Sequence, residues 1–237
     1  MNFHEAMLEL FIQVFKAYVE RKNEKVMVPE NPQRLVRGTI VSNSSVFENQ
    51  IGLLLHAQLH DDYRILVDYP IIFPGQNNRI TPDILILRDN TVQMILELKI
   101  DLGYEKVGWN SLREARLNKL QLNKNETGYK PFNELTMQKE DKKLIVVPDR
   151  IEYATVIFCH KNGASLIDAV VKNCKESRFE DRSDYPYFIL LQDRNIHPND
   201  FTSLIEAEAY IRSLQDSADI SDWRIFESYL RNRLQFR

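Results

Sequence analysis

The sequence predicts an α/β fold with a mixed central sheet: an antiparallel three-stranded meander, extended by crossover strands and flanked by helices. Three observations carry this. Apolar runs at 64–72, 80–88 and 91–100 are joined by turn-rich loops too short for anything but antiparallel pairing. The order strand 153–160, helix 164–175, strand 187–192 is that of a right-handed crossover. Both ends of the chain carry apolar residues at helical spacing.

The elements follow in order. Met7, Leu10, Phe11, Val14, Phe15 and Tyr18 mark a helix over 3–21, ended by the connector containing Pro29 and Pro32. A second helix runs from Ser44 to His60. Ser45 and Glu48 match the S-x-x-E capping box, and Ile51, Leu55 and Leu59 continue from Glu48 as an apolar stripe. The first two meander strands are joined by Pro74-Gly75-Gln76-Asn77-Asn78, the second and third across Arg88-Asp89-Asn90. Leu112, Ala115, Leu117 and Leu120 predict a helix over 110–123, and the polar stretch 124–142 reads as loop. Residues 200–215 and 221–234 close the chain as helices. The organisation expected is an N-terminal helix and connector (1–40), a core (41–193) and a C-terminal helical extension (194–237), together forming one compact domain.

Composition sets bounds. With 237 residues, 43% hydrophobic and 27% charged, the chain reads as an ordinary globular protein. Only 7 Gly and 9 Pro leave little room for flexible linkers. Cys159 and Cys174 read as buried free thiols rather than a disulfide framework, and no cluster supplies a zinc site. No apolar run approaches the roughly 20 residues of a bilayer span, so a cytoplasmic protein without membrane contact is expected. The formal net charge of −3 does not advertise a nucleic-acid binder; a basic patch would have to be local.

The chemistry concentrates in the third meander strand. Because strand side chains alternate, Ile95, Glu97 and Lys99 share one face, and Met94, Leu96, Leu98 and Ile100 share the apolar other. A carboxylate and an ammonium thus project together from a rigid platform. Whether Asp83 joins them depends on register. A two-residue Asp89-Asn90 hairpin would oppose Asp83 to Leu96 and turn it away. A three-residue loop, or an equivalent bulge, brings Asp83 to their face; with the loop it would oppose Ile95. That loop places its third residue in the left-handed region, which Asn tolerates, so the loop or bulge is expected.

Pro82-Asp83, thirteen residues, then Glu97-Leu98-Lys99 resembles the PD-(D/E)XK nuclease superfamily, the restriction-endonuclease-like fold. The resemblance runs from the helix at 45–60 to the strand at 153–160, about half the chain. It implies that Asp83 and Glu97 bind magnesium, or manganese as a substitute, with the Leu98 carbonyl as a third ligand. It implies that Lys99 orients the attacking water and stabilises developing negative charge. Glu48 lies where many members carry an additional acid. The implied activity is phosphodiester hydrolysis in nucleic acid, DNA in the first place, leaving 5′-phosphate ends, with homodimerisation common among members. Arg113, Arg116 and Lys119 recur on the following helix as candidate phosphate contacts, with a solvated helix face as the plain alternative. The competing functional readings are a non-catalytic module that keeps the fold and binds nucleic acid or a partner, and hydrolysis of another phosphodiester. His56, His60, His160 and His197 show no spaced partner arrangement, and the facing of Asp68 is open.

Overall fold

The computed structural model describes residues 2–26, 43–75, 78–101, 109–130, 132–133, 138–139, 141–161, 186–191, 193, 195–214 and 221–237. The expected helix at 164–175, with Cys174, and the linker residues between 102 and 108 lie outside them.

A five-stranded mixed sheet forms the centre. Its strands are β1 (Tyr63–Val67), β2 (Ile84–Arg88), β3 (Thr91–Lys99), β4 (Glu152–Cys159) and β5 (Tyr187–Leu191), neighbours in that order. β1, β2 and β3 pair antiparallel as the meander; β3–β4 and β4–β5 pair parallel. The helices are α1 (Phe3–Val26), α2 (Asn43–Gln58), α3 (Trp109–Leu122), α4 (Leu204–Ser213) and α5 (Ser221–Arg231).

Alternation along β2 and β3 divides the core. Ile84, Ile86, Met94, Leu96 and Leu98 face α1, α2, α4 and α5, joining Phe11, Phe15, Phe47, Phe158 and Trp223 in one cluster. Leu85, Leu87, Val92 and Ile95 face the other way, toward Leu120, Tyr129 and Tyr153. The near-continuous buried runs of β2 to β5 are what layers on both faces require, while the edge strand β1 is only partly buried. α2 lies close on β1 because residue 52 is glycine: a Cβ there would stand 2.7 Å from Val67 Cγ2.

Several boundaries depart from expectation. The first two meander runs are each broken. Residues Ile71–Ile72 and Arg79–Ile80 leave the main sheet and pair with each other, then with Gly128–Tyr129 and Lys143–Leu144, in a small side sheet. Pro70 and Pro82 stand in the gaps, where proline lacks the ladder N–H. Asp68 turns the first run at φ 46°, and its amide still donates to the Asp83 carbonyl at 2.8 Å. Thus Asp68 and Asp83 sit together where the two strands part. The stretch expected as loop at 124–142 carries short strands, including a Phe132–Asn133 to Gln138–Lys139 pairing. The Ser45–Glu48 capping box is not formed. Helix α2 already includes Asn43 and Ser44, so Ser45 lies inside it, and the Glu48 carboxylate takes a hydrogen bond from Ser44.

Candidate active site

The register of β2 against β3 decides whether the acids meet. The hairpin is the two-residue kind: Arg88 opposes Thr91, with Asp89 and Asn90 both left-handed at φ 49° and 61°. This is the mirror-image turn that suits strand twist. Continued without interruption, it would turn Asp83 to the wrong face. A bulge intervenes. Leu87 pairs with Val92 but Ile86 pairs with Met94, leaving Gln93 as the extra residue. Beyond it Leu85 opposes Ile95 and Ile84 opposes Leu96. One step further, Asp83 falls level with Glu97 rather than with Ile95, and on its face. The three-residue loop is therefore replaced by a tight turn plus a bulge, with the same consequence for facing.

Asp83 Oδ2 accepts the Leu98 amide at 2.6 Å, which fixes it against the backbone between Glu97 and Lys99. Burial raises its carboxyl above the usual range and nearby Asp68 adds to the rise, while the Leu98 N–H, Lys99 and Arg116 act in the opposite direction. Glu97 is 5% exposed. Its Oε1 pairs with Lys99 Nζ at 3.0 Å; its Oε2 pairs with an Arg116 guanidinium nitrogen and accepts the Tyr153 hydroxyl at 3.2 Å.

Glu48 approaches from α2. Burial pushes its carboxyl to about 7, with Asp83 and Asp68 raising it further and Lys99 and Ser44 pulling it down. Glu48, Asp68 and Asp83 thus lie within electrostatic reach of one another; Lys99 acts on Glu48 and Asp83 and pairs with Glu97, and Arg116 pairs with Glu97 and acts on Asp83.

The row on α3 is turned inward. Arg113 is buried, its guanidinium 5.6 Å from the centre of the Tyr153 ring. Arg116 reaches Glu97, and its second terminal nitrogen donates to the Thr81 carbonyl at 3.2 Å. Lys119 lies 5.2 Å from the Phe73 ring centre and donates to the Arg79 carbonyl at 3.2 Å. The sequence offers Arg116 as a phosphate contact or part of a solvated face, and its pairing with Glu97 was not foreseen; the facing of Asp68, open in the sequence, is set by the bend before Pro70. The Tyr69-Pro70 and Thr81-Pro82 pairs were the available signal for that bend.

Among the described residues, no group of three or more His, Cys, Asp or Glu side chains is close enough to hold a metal ion by itself. Asp83 and Glu97, with Glu48 and Asp68 alongside, are the hard oxygen donors of the site. His160 is buried elsewhere, and His56 and His60 are exposed. No helix among the described residues is long and apolar enough to cross a membrane.

The fold and site together define an α/β chain with carboxylates, Lys99 and Arg116 gathered where two strands of a meander part. No family model, curated protein or solved structure matches the chain.

Proposed function

We propose that this chain is a divalent-cation-dependent phosphodiesterase acting on nucleic acid, DNA in the first place, with a restriction-endonuclease-like core and a PD-(D/E)XK site. One observation carries the proposal: the bulge at Gln93 sets Asp83 on the face of Glu97 and Lys99. Without it the motif would be split across the sheet.

The donor set fits a hard cation. Magnesium takes oxygen ligands, keeps several waters and is commonly held by one or two carboxylates. Burial raises the carboxyls of Glu48 and Asp83, with neighbouring carboxyls adding to the rise; a bound divalent ion would favour their charged forms. Asp83 and Glu97 would hold the ion, with the Leu98 carbonyl as a backbone candidate. When bound, the ion would polarise a phosphoryl oxygen and acidify a water.

The chain's own residues supply the rest. Lys99 presents a compact cation beside both acids, placed to orient the water and to neutralise charge developing on phosphorus. Glu48, at about 7, exchanges a proton near neutral pH and suits proton transfer to or from the attacking water. Asp68 adds negative charge beside Asp83.

The test is incubation of the purified chain with plasmid and with single-stranded DNA in magnesium, manganese or EDTA. Cleavage that needs metal and disappears in Lys99→Ala supports the proposal. If Asp83→Ala cuts as well as the parent, the site is wrong even where activity is real. A second reading, a binding module that keeps the fold without cutting, is favoured by the engagement of both Glu97 oxygens by protein groups. It predicts DNA retention with no cleavage in any metal.

A further inference from the structure

We propose that Arg116 is a positioning residue that occupies Glu97 as a resident counter-cation and must yield it to the incoming divalent ion. This rests on the metal-dependent reading of the same site.

Glu97 is nearly fully buried and both its oxygens are engaged, one by Lys99 and the other by Arg116 and the Tyr153 hydroxyl. A buried carboxylate is costly without such partners. A divalent ion therefore cannot reach Glu97 without displacing a protein cation. Lys99 sits on the same strand face as Glu97, where its place beside the acids suits the proposed chemistry. Arg116 comes from a different element, and it holds two points at once. One terminal nitrogen is on Glu97; the other is on the Thr81 carbonyl, two residues before Asp83.

That two-point hold gives the exchange a geometry. When the Glu97 contact is given up, the Thr81 contact keeps the guanidinium beside the Asp83 segment. The released N–H groups then lie within the site, where a phosphate oxygen of the substrate is a matched acceptor. Arg116 thus raises the threshold for metal entry in the empty chain and serves the phosphate in the loaded one. A plain structural salt bridge would instead keep Arg116 on Glu97 after the ion binds, leaving its guanidinium environment unchanged.

Titration of manganese into the 237-residue chain by calorimetry tests this without reference to cleavage. Arg116→Met, which keeps an unbranched apolar stem and removes the guanidinium, is expected to bind manganese at least tenfold more tightly than the parent. Arg116→Lys is expected to stay within about threefold of the parent, and Arg116→Met/Glu97→Gln to lose the gain. Binding by the parent with no tightening in Arg116→Met overturns the role given to Arg116 while leaving the metal site intact. No binding by any variant, at concentrations that saturate known magnesium enzymes, overturns both.

If Arg116→Met does not fold, the parent alone decides. In chain labelled with 15N-arginine, the side-chain Nε resonance of Arg116, assigned with Arg116→Lys, is expected to shift on saturation with magnesium. An unchanged resonance under demonstrated binding refutes the exchange.

Discussion

Replacement of Glu48 by glutamine should stabilise the metal-free protein at alkaline pH and do nothing in acid. In the folded chain the Glu48 carboxyl lies at about 7 against an ordinary value of 4.5, chiefly because burial and the neighbouring Asp83 and Asp68 oppose its charge. The sign follows from linkage. Below about 4.5 the group is protonated in both states and contributes nothing. Between 4.5 and 7 only the unfolded chain ionises it, so stability falls as pH rises; above 7 the penalty is complete. At about 1.4 kcal/mol per pH unit the interval corresponds to about 3 kcal/mol. Glu48 is only half-buried, and solvent screening reduces this to about 1–2 kcal/mol. For a chain of this size that is a rise in Tm of roughly 2–8 °C at pH 8. Thermal melts of parent and Glu48→Gln in EDTA at pH 4, 6 and 8 make the comparison. A gain that appears between pH 4 and 8 is expected. A variant equally stable to the parent at pH 8, or less stable, would refute the crowding of these carboxyls.

Glu97 should behave oppositely. Glu97→Ala strips a buried partner from Arg116 and Lys99 and should cost about 3–5 kcal/mol, read as a lower urea midpoint in EDTA. Lys99→Met removes the partner of the buried Glu97 Oε1 and should lower the melting temperature; at temperatures where the variant is folded, the proposed role of its cation predicts metal-dependent cleavage reduced by about 10² or more. Gly52→Ala forces α2 away from Val67 and should cost about 1–3 kcal/mol; adding Val67→Ala should relieve the clash and return part of it in denaturant titrations. Asp89→Asn/Asn90→Gly should raise stability by about 0.5–1 kcal/mol, because both turn positions have positive φ that Asn-Gly adopts more readily.

Much of the sheet was legible because its signals are local. β3, β4 and β5 match their predicted runs within a residue or two, since continuous apolar strands between turn residues have few alternatives. The breaks in the first two meander runs were not legible: Pro70 and Pro82 announce interruption, but not that the flanking pieces would pair in a second sheet. The facing of Asp83 was predicted through a three-residue loop or its equivalent, and the equivalent is what occurs. Asp89-Asn90 makes the tight turn, and Gln93 supplies the extra residue three positions beyond it. Nothing in Thr91-Val92-Gln93 marks that bulge, because its cost and benefit depend on the partner strand. The inward turn of Arg113, Arg116 and Lys119 was hidden for a related reason. A basic row on a helix normally seeks water; here Glu97 draws Arg116 inward, the Tyr153 ring lies against Arg113, and the Phe73 ring and Arg79 carbonyl take Lys119, all of them distant in sequence. Ser45 misled differently: its spacing to Glu48 is right for a cap, but the helix begins before it.

Crystals grown without metal and soaked in manganese offer the most direct test, through anomalous scattering at the manganese edge. The expected result is a peak within about 2.0–2.3 Å of carboxylate oxygens from both Asp83 and Glu97, on the face that carries Lys99. A well-occupied soak with no peak between those two side chains, and with Asp83 still on the Leu98 amide and Glu97 still on Arg116, would contradict the proposal that this cluster is a cation-dependent active site.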